Sequence, residues 1–193
     1  MTKHLLYAAL LVLLSAPLAV ADTFSIDPAH SQVHFSVRHM VMFNVRGAFT
    51  DFSGTIEADL ASKTLKGVTA TILTASIDTR EKKRDEHLRS ADFFDVANHP
   101  KMIFTLDRVV GTSDDLTIYG KLTIRGITKT VALHGKYLGA STDPWGNLRV
   151  GFEGTATVNR RDFGLTWNKM LEAGGYLVGD QVEIGVEIEA IKR

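Results

Sequence analysis

The chain has 193 residues, with 22 Lys+Arg against 22 Asp+Glu, 45% apolar residues, four Pro and no Cys. That suits a single domain with a packed core. The balanced charge argues against binding a nucleic-acid backbone, which draws on a basic excess. The missing thiols exclude disulfides, cysteine nucleophiles and Cys-ligated metals.

Residues 1–21 read as a secretory signal. Lys3 and His4 precede the apolar run Leu5–Leu14, which ends in Ser15-Ala16-Pro17 and the small-x-small site Ala19-Val20-Ala21. The run is shorter than the roughly 20 residues that span a bilayer. Cleavage after Ala21 leaves 22–193 as one domain, and a bacterial periplasm is the expected address.

Period two dominates the remaining chain. Val33, Phe35 and Val37 alternate with His34, Ser36 and Arg38, giving one buried and one wet strand face. The pattern returns at Phe52–Leu60, Met102–Leu106, Leu116–Ile124, Val131–Tyr137, Val150–Val158 and Val182–Ala190. Val68–Ile77 is apolar on both parities, as a strand covered on both sides would be, and a homodimer is one source of that cover. Turns are expected at Asp59–Gly67, Gly111–Asp115, Arg125-Gly126 and Asp143–Gly146. The polar stretch Thr79–Ser90 breaks the period and predicts a short helix capped by Asp78 or Thr79, with a second turn opened by Ser90 and Asp92.

About eight antiparallel strands with one apolar face each stack as a sandwich or close as a barrel. Gly54, Gly120, Gly135 and Gly154 fall on inward parity. Each is either a bend in a coiled strand or a gap in the wall, and clustered gaps leave an apolar void for a long, narrow ligand. The inward positions Phe35, Val37, Phe52, Phe104, Ile118, Leu133 and Phe152 would line it. Met40, Met42, Phe43 and Phe49 lie between two strands and either grip a flexible chain at a barrel mouth or fill the core. His39 shares the parity of Val37 and is placed to meet a polar head group or a backbone partner, with Arg38 and Arg46 on the opposite side. Burying about ten methylenes at ~0.8 kcal/mol each approaches micromolar affinity without a charged clamp.

Nothing nominates a catalytic centre. His30 and His34 have a helical metal spacing, but on a strand four residues span about 13 Å, which rules out a shared zinc. Elbow, zincin, phosphate-loop and dinucleotide motifs are missing from the sequence.

The ordered motifs resemble those of the YceI-like family. They are Ile26-Asp27-Pro28-Ala29-His30-Ser31, Val33 to His39 and Val45 to Phe49; Arg84 to Asp95 with His99-Pro100; Gly120 to Lys129; Asp143-Pro144-Trp145-Gly146; Arg161 to Leu165; and Leu177 to Val182. The resemblance implies an all-β fold with a short helical segment, an extended eight-stranded antiparallel lipocalin-like barrel. It also implies storage or carriage of an isoprenoid amphiphile, a polyprenyl phosphate or a ubiquinone-like polyprenyl quinone, with no catalytic cofactor. Asp85, His87 and Asp92 would shape a turn rather than touch ligand. The alternatives are an enzyme acting on a lipid or quinone, or a partner delivering cargo through transient contact with a membrane or membrane enzyme.

Overall fold

A computed structural model describes residues 21–172 and 174–193. The expected export signal therefore lies, Ala21 apart, outside the described residues. Among the described residues the strands are β1 (Asp22–Ile26), β2 (Gln32–His39), β3 (Phe43–Phe49), β4 (Phe52–Asp59), β5 (Thr64–Leu73), β6 (Ile77–Asp78), β7 (Lys101–Thr112), β8 (Asp115–Ile124), β9 (Ile127–Thr142), β10 (Leu148–Asn159) and β11 (Val178–Lys192), with one α-helix, α1 (Lys82–Arg89).

Three long strands are each broken once. A 3-10 turn at Pro28–His30 separates β1 from β2, Thr50-Asp51 separates β3 from β4, and a 3-10 turn at Thr74–Ser76 separates β5 from β6. Counting each broken pair once gives eight antiparallel strands. The ring closes where β11 pairs with β2 along Val178–Glu187 and with β1 at Ala190–Lys192. Inward residues follow the sequence alternation: Leu116, Ile118, Gly120, Leu122 and Ile124 of β8 are all buried, and so are Val150, Phe152, Gly154, Ala156 and Val158 of β10. The fold is thus the expected barrel rather than a sandwich.

Two local expectations change. The apolar run Val68–Ile77 is not a strand covered on both faces. It breaks at Thr74, whose buried hydroxyl donates to the His99 carbonyl at 2.8 Å, and the break lets Ile77 resume beside Phe49. The motive it offered for a dimer disappears with it. The helix begins later than expected because Glu81, not Asp78 or Thr79, caps it, its carboxylate accepting from the Lys83 and Arg84 amides. Asp78 instead accepts from the Arg80 amide at 2.7 Å, stabilising the preceding bend.

The β8–β9 and β2–β3 hairpins each turn through two consecutive left-handed residues. Arg125 (φ 50°) and Gly126 (φ 74°) join β8 to β9. Met40 (φ 50°) and Val41 (φ 64°) join β2 to β3, with the Met42 amide donating to the His39 carbonyl at 3.2 Å. Such turns favour Asn-Gly, and a β-branched residue with positive φ is an outlier.

Candidate functional site: an apolar cavity inside the barrel

The inward faces enclose a cavity of about 260 Å³. Its wall takes Val33, Phe35 and Val37 from β2, Phe49 from β3, Phe52 and Ile56 from β4, and Leu65, Val68, Ala70 and Ile72 from β5. Further round the ring come Met102 and Phe104 from β7, Ile118, Leu122 and Ile124 from β8, Val131 and Leu133 from β9, Phe152 to Val158 on inward parity from β10, and Val178 to Ile188 from β11. One end is covered by Leu88 of α1, by Phe93 and Phe94 of the following turn, and by Phe163 and Leu165 beyond β10. Aromatic rings brace that end: Phe35 lies 5.8 Å from Phe49, and Phe49 meets Phe94 edge-on at 5.6 Å.

Of the residues the sequence nominated for ligand contact, Phe35, Val37, Phe49, Phe52, Phe104, Ile118, Leu133 and Phe152 face this cavity. Arg38, His39, Met40, Met42, Phe43 and Arg46 lie outside its wall. Parity fails there for a physical reason. β6 covers β3 only at Ala48 and Phe49, so the β2–β3 hairpin beyond Val37 runs past the ring and has no opposite wall. His39 is half-buried, while Met42 and Phe43 are 64% and 66% exposed.

Three of the four inward-parity glycines leave no open space. A Cβ on Gly120 would lie 2.2 Å from Cζ of Phe104, one on Gly54 2.4 Å from the Thr69 carbonyl oxygen, and one on Gly135 2.0 Å from the Glu153 carbonyl oxygen. These three allow close approach of neighbours instead of leaving space. Gly154 alone of the four lines the cavity, with its nearest neighbours at 3.6–3.7 Å.

Sequence reasoning missed Leu88, Phe93, Phe94, Phe163 and Leu165. They belong to a helix and to turns, where alternation gives no signal, although Phe93-Phe94 sit inside the Arg84–Asp95 motif. That segment is tied down by its polar groups. Asp85 accepts from the Thr79 amide at 2.9 Å and from its hydroxyl at 2.5 Å. His87 Nε2 lies 2.8 Å from the Asp92 carboxylate, its ring edge-on to Phe93 and Trp167.

Charge near the cavity is already committed. The Arg160 side chain is 5% exposed; it donates to the carbonyls of Gly179, Leu165, Trp167 and Val178 and pairs with Asp180 at 3.1 Å. Burial lowers its pKa, offset in part by Asp180. At the far end Asp27, His30 and Glu189 bring ligand atoms within 4.8 Å of one another. A cation already sits against them, since Arg149 Nη1 donates to Asp27 at 2.8 Å and to Glu189 at 2.5 Å, and its Nε donates to Asp143 at 2.8 Å. The hydrogen bonds from Arg149, and then from His30, hold the Asp27 carboxyl below its ordinary range. Burial would raise Asp143, but bonds from Asn147 and Arg149 outweigh it and hold this carboxyl well below that range. This is an ion-pair lock between the β1–β2 turn, β10, β11 and the β9–β10 turn, not a metal centre. His34 of β2 lies over Gly185 on the outer face, away from His30.

The family model described as a YceI-like domain matches residues 24–190. The chain belongs to the YceI-like family. A YceI-like relative, Protein YceI of Escherichia coli, is 40% identical over 156 residues, covering 80% of this chain and 82% of its own. The crystal structure of Burkholderia cenocepacia BcnA superposes with a TM-score of 0.74 at 24% identity, covering 86% of this chain and 99% of that one. A polyisoprenoid binding domain from Saccharophagus degradans, implicated in plant cell wall breakdown, shares the fold with a TM-score of 0.67 at 14% identity, covering 88% of this chain and 98% of its own.

Proposed function

We propose that this YceI-like barrel binds and carries an isoprenoid amphiphile by its hydrocarbon tail. The observation that carries the reading is the cavity wall, built from aliphatic and aromatic side chains of every strand of the ring. Polyisoprenoid binding by the Saccharophagus degradans domain of the same fold supports the choice of tail. In dry protein cavities ~150 Å³ holds one benzene ring, so this volume suits about ten carbon atoms, two isoprene units. The protein takes the terminal units of a tail and leaves the rest outside.

The head group follows from the same wall. A phosphate drawn inside would need a cation, because an unpaired buried charge is strongly disfavoured, and every nitrogen of Arg160 is already bonded. With the terminal units filling the cavity, a quinone head stays outside with the rest of its tail, and a polyprenyl phosphate keeps its head at the surface. Binding, not turnover, is the proposed role, and the signal-like segment 1–21 supports export to the periplasm.

The test is mass spectrometry of organic extracts from protein purified without detergent. A prenylated lipid released chemically unchanged is the expected result. A folded protein that comes back empty, and that takes up no prenyl quinone on incubation, would reject the proposal.

A further inference from the structure

The β2–β3 tip is built against two ordinary preferences. Its left-handed positions carry Met40 and Val41 where Asn-Gly would be relaxed. Its side chains Val41, Met42 and Phe43 are each more than half exposed, although a turn in water favours polar residues. Both features follow if the tip is made to enter an apolar medium. The neighbouring loop extends the surface, since the Met40 amide donates to the Leu177 carbonyl at 2.8 Å and exposed Met170 and Tyr176 bridge beside it.

The charges choose the partner. From Arg38 to Arg46 the hairpin carries two arginines flanking the apolar tip and no acid. Both are exposed, and among the described residues neither forms an ion pair. Arg38 holds its guanidinium at the tip, donating to the Met42 carbonyl at 3.2 Å. On the adjacent loop Lys169 and Glu172 offset each other. An apolar wedge with one unpaired arginine on each arm fits an anionic lipid surface, with side chains inserted among acyl chains and guanidinium groups at head-group level. A protein partner would meet the same apolar groups but would not by itself call for the cationic collar.

We propose that this hairpin docks the protein on anionic membranes. The tip stands immediately beyond Val37 and Val178, which line the cavity, so docking places that end of the barrel at the bilayer. The docking does not depend on what the cavity holds.

Co-sedimentation of the purified protein with phosphatidylcholine vesicles, with and without phosphatidylglycerol, tests this. The protein pellets with the mixed vesicles and is released by salt, as a screened attraction requires. Met40→Asn with Val41→Gly relaxes the turn, so the variant keeps its melting temperature or gains on it, yet stays in the supernatant. Arg38→Gln weakens vesicle binding by about fivefold. Wild type left in the supernatant with both vesicles, or a double variant that pellets as well as wild type, overturns the proposal. So does a wild-type dimer, seen by light scattering, that the double variant converts to monomer, because the tip would then serve self-association.

Discussion

Arg149 serves three carboxylates at once, and its effect on stability has a definite sign with pH. The folded-state pKa values of Asp27 and Asp143 are depressed, so the stability they confer is present above the unfolded Asp value, about 3.9, and is lost as pH falls through the lower folded values. Arg149→Met therefore lowers the melting temperature at neutral pH, and its deficit against wild type shrinks as acid protonates the same carboxylates. Thermal melts at pH 7 and below pH 3 check this. A second residue-scale expectation concerns two paired glycines. Gly135→Ala drives a methyl into the Glu153 carbonyl and costs about 1–3 kcal/mol of stability, measured by denaturant unfolding. Gly154→Leu meets only loose neighbours, so the barrel folds, but the side chain occupies the cavity and prenyl-lipid uptake falls at least tenfold in a binding titration. Both residues fall on the inward parity of the sequence, and nothing in it distinguishes them. The difference is set by how closely the facing strand approaches, a property of twist and register, not of composition.

At the scale of elements, strands were legible and the segments that end them were not. Most strands of the ring repeat a two-residue period, which assigns Phe104, Ile118 and Phe152 to one side from sequence alone. The same rule misplaced His39 and the methionines because it describes a strand face without saying whether a wall stands opposite. α1 and the turn after it escaped for another reason: a polar helix shows no apolar stripe, and Leu88, Phe93 and Phe94 reach the cavity as single residues. Arg125 shows how that cover is held. It accepts a left-handed backbone (φ 50°), and its guanidinium donates to the carbonyls of Phe93 at 2.6 Å and Ala91 at 3.2 Å. Arg125→Asn keeps the hairpin turn, since Asn tolerates that conformation, but frees the turn above the cavity. Amide exchange at Phe93 and Phe94 then accelerates while the strands of the barrel stay protected, a pattern that hydrogen-exchange mass spectrometry resolves.

At the scale of the molecule, the cavity sets a length. Each methylene moved out of water contributes about 0.8 kcal/mol until space runs out, and about ten carbons fill 260 Å³. Calorimetry over prenyl alcohols of rising length should show affinity climbing to two isoprene units and then levelling. A continued climb would mean that the rings of Phe35 and Phe49 swing aside to lengthen the tunnel. That the sequence pointed to an apolar hollow but not to its volume has one cause: alternation identifies which residues face inward, and the diameter depends on how far the rings reach. Another consequence lies in the seam. Ser31 and Glu189 exchange hydrogen bonds of 2.9 and 3.1 Å across 158 residues of chain, and β11 follows the other strands of the ring in chain order. Its fifteen residues supply the edge with which both β1 and β2 pair, so the ring cannot close before β11 has formed. Closure therefore waits on a contact between distant parts of the chain, and the proposed lipid cannot be enclosed before that seam forms.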